Sequence, residues 1–291
     1  MDNQLGVYYA FLASSDEVNW LDCLRRARAA GLDILEMSAP KLRLVCDQSR
    51  REIAARAADL GMQLTFATAL TLETDVSDPS PAIRMAGIKR LREDIQLVRS
   101  MGGTALGGIL TGVGKHFSPG VELTRDEAVD RAISSLREAA KTAEDEGVTL
   151  CVEVVNRFES PLVNTCLEGL RVAEAVDSPA LGVHLDTFHM NIEEANIGNA
   201  IRTAGKHLVH FHACENNRAL PPQGHINWNE VFEALQAIDY QGPIVMEALP
   251  GPYGSVAGRL NIWRKLSQDV DGELTTAVSF LRERMEDTYG I

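Results

Sequence analysis

The feature of this sequence that most restricts its fold is a repeated alternation: a helix-type segment, a glycine, then a short apolar run of β character. It occurs as ARAAGLDILEM around Gly31, AADLGMQLTFA around Gly61, VRSMGGTALGGI around Gly103 and AEDEGVTLCVEV around Gly147. A glycine just past a helix end takes the left-handed conformation that stops the helix, and an uninterrupted apolar run suits a parallel strand covered on both faces. The segments between are amphipathic. From Val129 onward, Ile133, Leu136, Ala140 and Ala143 fall on one helical face, with Arg131, Glu138, Lys141 and Glu144 mostly elsewhere. Ser14-x-x-Glu17, Thr124-x-x-Glu127 and Asn191-x-x-Glu194 have the form, or a near variant, of helix-starting capping boxes.

Continued along the chain, this pattern gives strands near residues 4–9, 33–37, 63–68, 104–109, 149–154, 181–186, 207–212 and 243–247, each followed by a helix-type segment. Eight β/α units in 291 residues predict an α/β fold, a single (β/α)8 TIM barrel. No Pro/Gly/Ser-rich linker divides the chain, so residues 1–291 read as one domain. The extra length falls in loops 111–123, 213–227 and 248–271, which in a barrel roof the catalytic face. A doubly wound open sheet is the competing architecture, but its glycine fingerprint is missing: Gly112 and Gly114 are followed at the third position by Phe117.

Charge and cysteine content narrow the function. Lys plus Arg number 28 against 41 Asp plus Glu, a formal charge of −13, which argues against nucleic acid as a bulk partner because phosphate backbones are held by clustered cations. There is no stretch of roughly 20 apolar residues, and the N-terminal MDNQLGVYYAFLASSDE has no signal-peptide pattern. No membrane association is expected. The five cysteines are scattered and form no CxxC, so neither a disulfide scaffold nor a thiolate zinc site is expected, and a reducing cytoplasm is the default location.

In a barrel, polar groups at the C-terminal ends of strands are the functional candidates. Four consecutive predicted strands each end on one metal-capable side chain within an otherwise apolar run: Glu153, Asp186, His212 and Glu247. Neighbouring strands lie about 4.8 Å apart, so these groups are within reach of one ion. Singly, a glutamate at a strand end is usually a solvated rim residue, and His184, two residues before Asp186, either lines the pocket or packs inside the barrel. Together, three buried carboxylates repel one another unless a cation neutralises them or they take up protons. The oxygen-rich set points to one divalent ion, Mn²⁺ first, with Co²⁺ or Mg²⁺ as alternatives, rather than a thiolate- or histidine-rich zinc site.

The stretch Glu153-Val-Val-Asn-Arg-Phe-Glu159, then Leu185-Asp-Thr-Phe-His-Met-Asn-Ile-Glu-Glu194, His212-x-x-Glu215-x-x-Arg218 and Val245-Met-Glu247, resembles the D-tagatose/D-psicose (D-allulose) 3-epimerase family of xylose-isomerase-like barrels. The resemblance runs over nearly the whole chain, including Gly254-Ser-Val and Ile262-Trp-Arg264. It implies a metal-dependent ketose 3-epimerase acting on D-fructose/D-psicose or D-tagatose/D-sorbose. Glu153, Asp186, His212 and Glu247 match the family's metal ligands, and Glu153 and Glu247 its paired acid/base groups. Glu159, His189 and Arg218 match residues that hold the O1–O3 end of the ketose. A loop ion pair with Arg157, a helix-entry hydrogen bond and a surface charge are the respective structural alternatives. Tyr8, Phe11, Phe66 and Leu110 are expected at the distal sugar pocket. Family members form homodimers or homotetramers, so a homo-oligomer is expected here.

Inverting C3 next to a carbonyl requires proton removal on one face and return on the other, which two flanking carboxylates serve and one rigid base does not. An aldose–ketose isomerase of the same superfamily (hydroxypyruvate-isomerase-like) needs one base, and the ligand set alone does not forbid it; a ketopentose 3-epimerase is the other alternative. A metal-dependent phosphodiesterase or DNA-repair barrel is disfavoured by the acidic charge and the few strand-end histidines, and a catalytically dead sugar-binding barrel by the retained acid/base pair. Cys214 stands where many relatives carry glycine, either as a small packing residue or as a group narrowing the pocket near Arg218. No activating partner for a catalytic thiol is evident.

Overall fold

The structure, a computed structural model, describes residues 3–113 and 124–289. Eight parallel strands, β1 (Leu5–Tyr8), β2 (Ile34–Ser38), β3 (Gln63–Ala69), β4 (Ala105–Ile109), β5 (Thr149–Glu153), β6 (Leu181–Asp186), β7 (Leu208–His212) and β8 (Ile244–Met246), close on one another in chain order. The fold is a (β/α)8 TIM barrel. The strands are connected by α1 (Tyr9–Leu12), α2 (Trp20–Ala29), α3 (Ala39–Leu42), α4 (Asp47–Asp59), α5 (Pro81–Ser100), α6 (Arg125–Glu146), α7 (Cys166–Val176), α8 (Thr187–Glu193), α9 (Ile197–Ala204) and α10 (Trp228–Ala237), and β8 is followed by α11 (Gly254–Arg259) and α12 (Val270–Tyr289), the longer helices forming the outer ring. Among the described residues no helix is long and apolar enough to cross a membrane.

The glycine punctuation works as the pattern requires: Gly31, Gly61 and Gly147 have φ of +86°, +63° and +65°, and in the third repeat Gly102 takes the left-handed role at +79°. Its neighbour Gly103 serves another purpose, because a Cβ there would lie 2.4 Å from the Phe66 ring. Of the three capping boxes read from sequence, Thr124/Glu127 forms with both reciprocal bonds at the start of α6. Ser14 and Glu17 precede no helix; α2 begins after Asn19, whose side chain accepts from the Asp22 amide. Asn191 and Glu194 fall within and just past α8, which instead begins at Asp186. A further box, Thr165/Glu168, starts α7.

Register decides which side chains meet inside the barrel. Tyr8 pairs with Glu36 and Glu36 with Thr65; Glu153 pairs with His184, His184 with His210, and Asp186 with His212. Paired residues of parallel strands share a face, so all of these point inward. Loop 213–227 contains the cis Pro221–Pro222 bond, and loop 248–271 contains α11 and the first residues of α12. Residues 114–123 of the third expected roof loop lie outside the described residues.

Candidate active site

Glu153 closes β5, Asp186 closes β6, His212 closes β7, and Glu247 is the first residue past β8. Their ligating atoms all lie within 4.8 Å of one another, and Asp186 and His212 are fully buried. His212 Nδ1 has no hydrogen-bond partner and faces Asp186 Oδ2 at 3.8 Å and Glu247 Oε2 at 3.7 Å. A second set, His184, His210 and His212, also has ring nitrogens within 4.8 Å of one another, deeper in the barrel.

Arg218 reaches over this group from the loop after β7, held at φ +64°. Its Nη1 donates to Glu247 Oε2 at 2.6 Å and Asp186 Oδ2 at 3.1 Å, and its Nη2 to Glu159 Oε1 at 3.2 Å. The Phe188 ring lies 4.0 Å beneath the guanidinium, so the cation is clamped between carboxylates and an aromatic face. Arg218 is therefore a buried member of the site and not a surface charge. Arg157 pairs with Glu193 at 2.7 Å, which leaves Glu159 to Arg218.

His189, in the first turn of α8, presents Nδ1 to the Asn156 backbone N–H at 3.1 Å. Its Nε2 faces Glu153 Oε1 at 3.7 Å and Arg218 Nη2 at 3.1 Å; a guanidinium only donates, so both ring nitrogens of His189 meet donors. Burial, then the charge of Arg218, pushes His189 well below the usual histidine range, so it is a neutral imidazole.

The carboxyl groups do not share one protonation state. Burial, reinforced by the charge of Glu247, drives Glu153 well above the ordinary glutamate range. Burial raises Asp186 to about 7 against the pull of Arg218. For Glu247 burial acts in the same direction, but Arg218 and His212 outweigh it and hold the group below its usual value. Such a set is short of positive charge, which is what a bound cation would relieve.

Among the aromatic and apolar residues expected at the sugar pocket, Tyr8 faces inward near Glu247, and burial followed by the adjacent Tyr9 and Glu247 raises its hydroxyl. Phe11 and Leu110 are buried in the continuous core. Phe66 does not reach the site. Thr65 bonds to the inward Glu36, so the next residue turns outward, and the Phe66 ring packs beside Gly103 and Val98 under α5. Cys214 is buried, its thiol donating to the Glu247 carbonyl at 3.0 Å and its amide to Thr187 Oγ1 at 2.8 Å.

The family model for xylose isomerase-like TIM barrels matches residues 24–265. D-psicose 3-epimerase of Ruminiclostridium cellulolyticum is 36% identical over 97% of each chain. The chain belongs to the D-tagatose/D-psicose 3-epimerase family. L-ribulose 3-epimerase of Mesorhizobium japonicum is 34% identical, covering 91% of this chain and 89% of the relative. Among solved structures, D-psicose 3-epimerase with D-tagatose from Clostridium cellulolyticum H10 superimposes with a TM-score of 0.91 at 35% identity over 97% of this chain and 99% of that one. L-ribulose 3-epimerase does so with a TM-score of 0.89 at 32% identity over 99% and 96%.

The epimerase motifs give no role to two inner groups. Glu36, 1% exposed in the middle of β2, accepts from Thr65 Oγ1 at 2.9 Å and lies 2.8 Å from both His212 Nε2 and His210 Nε2. Asn156, which fixes His189, is the other. The signal for Glu36 was present in ILEMS: an acidic residue inside an apolar strand, at the inward parity of a barrel.

Proposed function

We propose that this chain is a divalent-metal-dependent ketose 3-epimerase acting on a free ketohexose or ketopentose, with Glu153, Asp186, His212 and Glu247 as metal ligands. The observation that carries the reading is the convergence of three carboxyl groups and one unpartnered imidazole nitrogen within 4.8 Å, beneath a buried guanidinium. The donor chemistry fits such an ion: three hard oxygens and one imidazole suit Mn²⁺, with Co²⁺ or Mg²⁺ as substitutes. When bound there, the ion supplies Lewis-acid polarisation of the ketose carbonyl and of the adjacent hydroxyl.

The protein groups carry the proton chemistry. Glu153 and Glu247, from β5 and the end of β8, flank the reacting carbon, one removing the C3 proton and the other returning one to the opposite face. The starting epimer sets which glutamate acts first, and the reverse reaction exchanges the roles. The Arg218 fork, with His189 beside it, donates to the oxygens on which negative charge grows. Glu159, held by Arg218 and Asn156, accepts from a sugar hydroxyl at the same end. Tyr8 and Leu110 line the distal end of the sugar. Relatives named for D-psicose and for L-ribulose both support a 3-epimerase, and they leave the chain length of the preferred ketose to experiment.

The test is turnover of D-fructose, D-tagatose and L-ribulose by chelator-stripped protein with Mn²⁺ restored, run in D2O and read by chromatography and deuterium at C3. Glu153→Gln and Glu247→Gln each abolish both epimer formation and C3 exchange. Near-normal epimerisation by either variant overturns the two-carboxylate assignment.

A further inference from the structure

The ligand His212 is gripped at its other ring nitrogen by a group from the far side of the barrel. His212 Nε2 lies 2.8 Å from Glu36 Oε1, and Glu36 stands on β2. The opposite carboxylate oxygen, Oε2, accepts from Thr65 Oγ1 at 2.9 Å, and His210 Nε2 lies 2.8 Å from it without hydrogen-bond alignment. Glu36 thus meets three polar neighbours in a space where it, His210 and His212 are each 1% exposed. A carboxylate accepts only, so the nitrogen of His212 that faces it carries the proton. The lone pair is then left on Nδ1, the atom turned towards Asp186 and Glu247. Swap the two nitrogens and the imidazole offers the site an N–H in place of a lone pair.

We propose that Glu36 is the positioning residue of the metal centre, fixing the tautomer and ring direction of His212 so that Nδ1 is available as a ligand. The inference rests on the metal-centre reading above. It also accounts for the cluster of His184, His210 and His212: each oxygen of Glu36 faces one of the two β7 rings at 2.8 Å, and His184 fills the remaining space edge-on to both, with ring centroids 4.6 and 4.1 Å away. Gly107 makes room for that ring, since a Cβ there would approach His184 Nδ1 to 3.3 Å. A carboxylate behind a metal-bound imidazole also raises the ligand's basicity, and such partners are typically worth 10–100-fold in metal affinity.

The experiment is Mn²⁺ titration of chelator-stripped protein, with free Mn²⁺ followed by its electron paramagnetic resonance signal and thermal unfolding of each metal-free variant recorded alongside. Glu36→Met removes every acceptor at near-constant volume and weakens Mn²⁺ binding about 10–100-fold. Glu36→Gln retains one oxygen for His212 and falls between wild type and Glu36→Met. Thr65→Val perturbs the same buried carboxylate at Oε2 only, leaves the His212 contact at Oε1 in place, and binds Mn²⁺ within about threefold of wild type, short of the roughly 10–100-fold typical of losing the direct partner. If Glu36→Met does not fold, Glu36→Gln against Thr65→Val carries the comparison. Unchanged affinity in the folded Glu36 variants, or an equal loss in Thr65→Val, overturns the proposal. Absence of Mn²⁺ binding by the wild-type protein overturns the metal-centre reading itself, a result distinct from either.

Discussion

Replacing Trp228 by Phe removes one atom pair that holds the loop carrying Arg218. The indole N–H donates to Glu215 Oε1 at 2.7 Å, while Oε2 of the same side chain accepts from the Ile226 amide at 3.1 Å. Glu215 is fully buried, and the backbone amide of Arg218 donates to its carbonyl at 3.0 Å. A hydrogen bond to a charged group is worth about 1.5–3 kcal/mol, and its loss leaves a buried oxygen without that partner. Exchanging the larger ring for the smaller adds about 1 kcal/mol of packing, so Trp228→Phe costs about 3 kcal/mol. With unfolding entropy of about 2 cal/mol/K per residue over 291 residues, that lowers Tm by about 5 °C. The assay is calorimetric unfolding of wild type, Trp228→Phe, Glu215→Met and the double variant. In the Glu215→Met background the Trp228 substitution retains only its packing cost, so the cycle returns a coupling of about 2 kcal/mol. A coupling below about 0.5 kcal/mol refutes the argument that this pair secures the loop.

Two other outcomes follow from burial and facing. Of the five cysteines only Cys46 is exposed, and its thiol is lowered by the Ser49 hydroxyl, whereas burial raises Cys23 and Cys166 to about 12 and also pushes up Cys151 and Cys214. Titration with a chromogenic disulfide reagent at neutral pH therefore finds one rapidly reacting thiol in the native protein and five after denaturation; two or more fast native thiols contradict the assigned burial. Because Phe66 packs outward against α5, Phe66→Ala lowers stability by about 3–5 kcal/mol. In Michaelis kinetics its KM for the ketose stays at the wild-type value, and a selective rise in KM returns this residue to the sugar pocket.

What the sequence disclosed about the fold depended on local signals that tertiary packing had no reason to override. Strand positions were readable because each apolar run is bounded by a glycine or a cap, and the barrel reading then selected Glu153, Asp186, His212 and Glu247 by their place at strand ends. Facing was harder. Phe66 looks like a pocket aromatic until the bond from Thr65 to Glu36 fixes the parity of β3. Glu36 and His210 escaped notice because they sit one layer below the strand ends, where their purpose depends on a partner more than 170 residues away. The capping motifs at Ser14 and Asn191 met the right spacing without a helix start, since Asn19 and Asp186 already supply the first accepting side chains.

The barrel divides its labour by half. All four converging groups stand on or just past β5 to β8, whereas Glu36, which backs His212, and Thr65, which bonds to Glu36, stand on β2 and β3. During synthesis the brace is therefore made first and waits. At ribosomal rates of about 5–20 residues per second, some 5 to 20 s separate the appearance of Glu153 from that of Glu247. For more than half of that interval His212 itself is still to be made, so the carboxylate precedes the imidazole it backs, and only with the closing strand is the set complete.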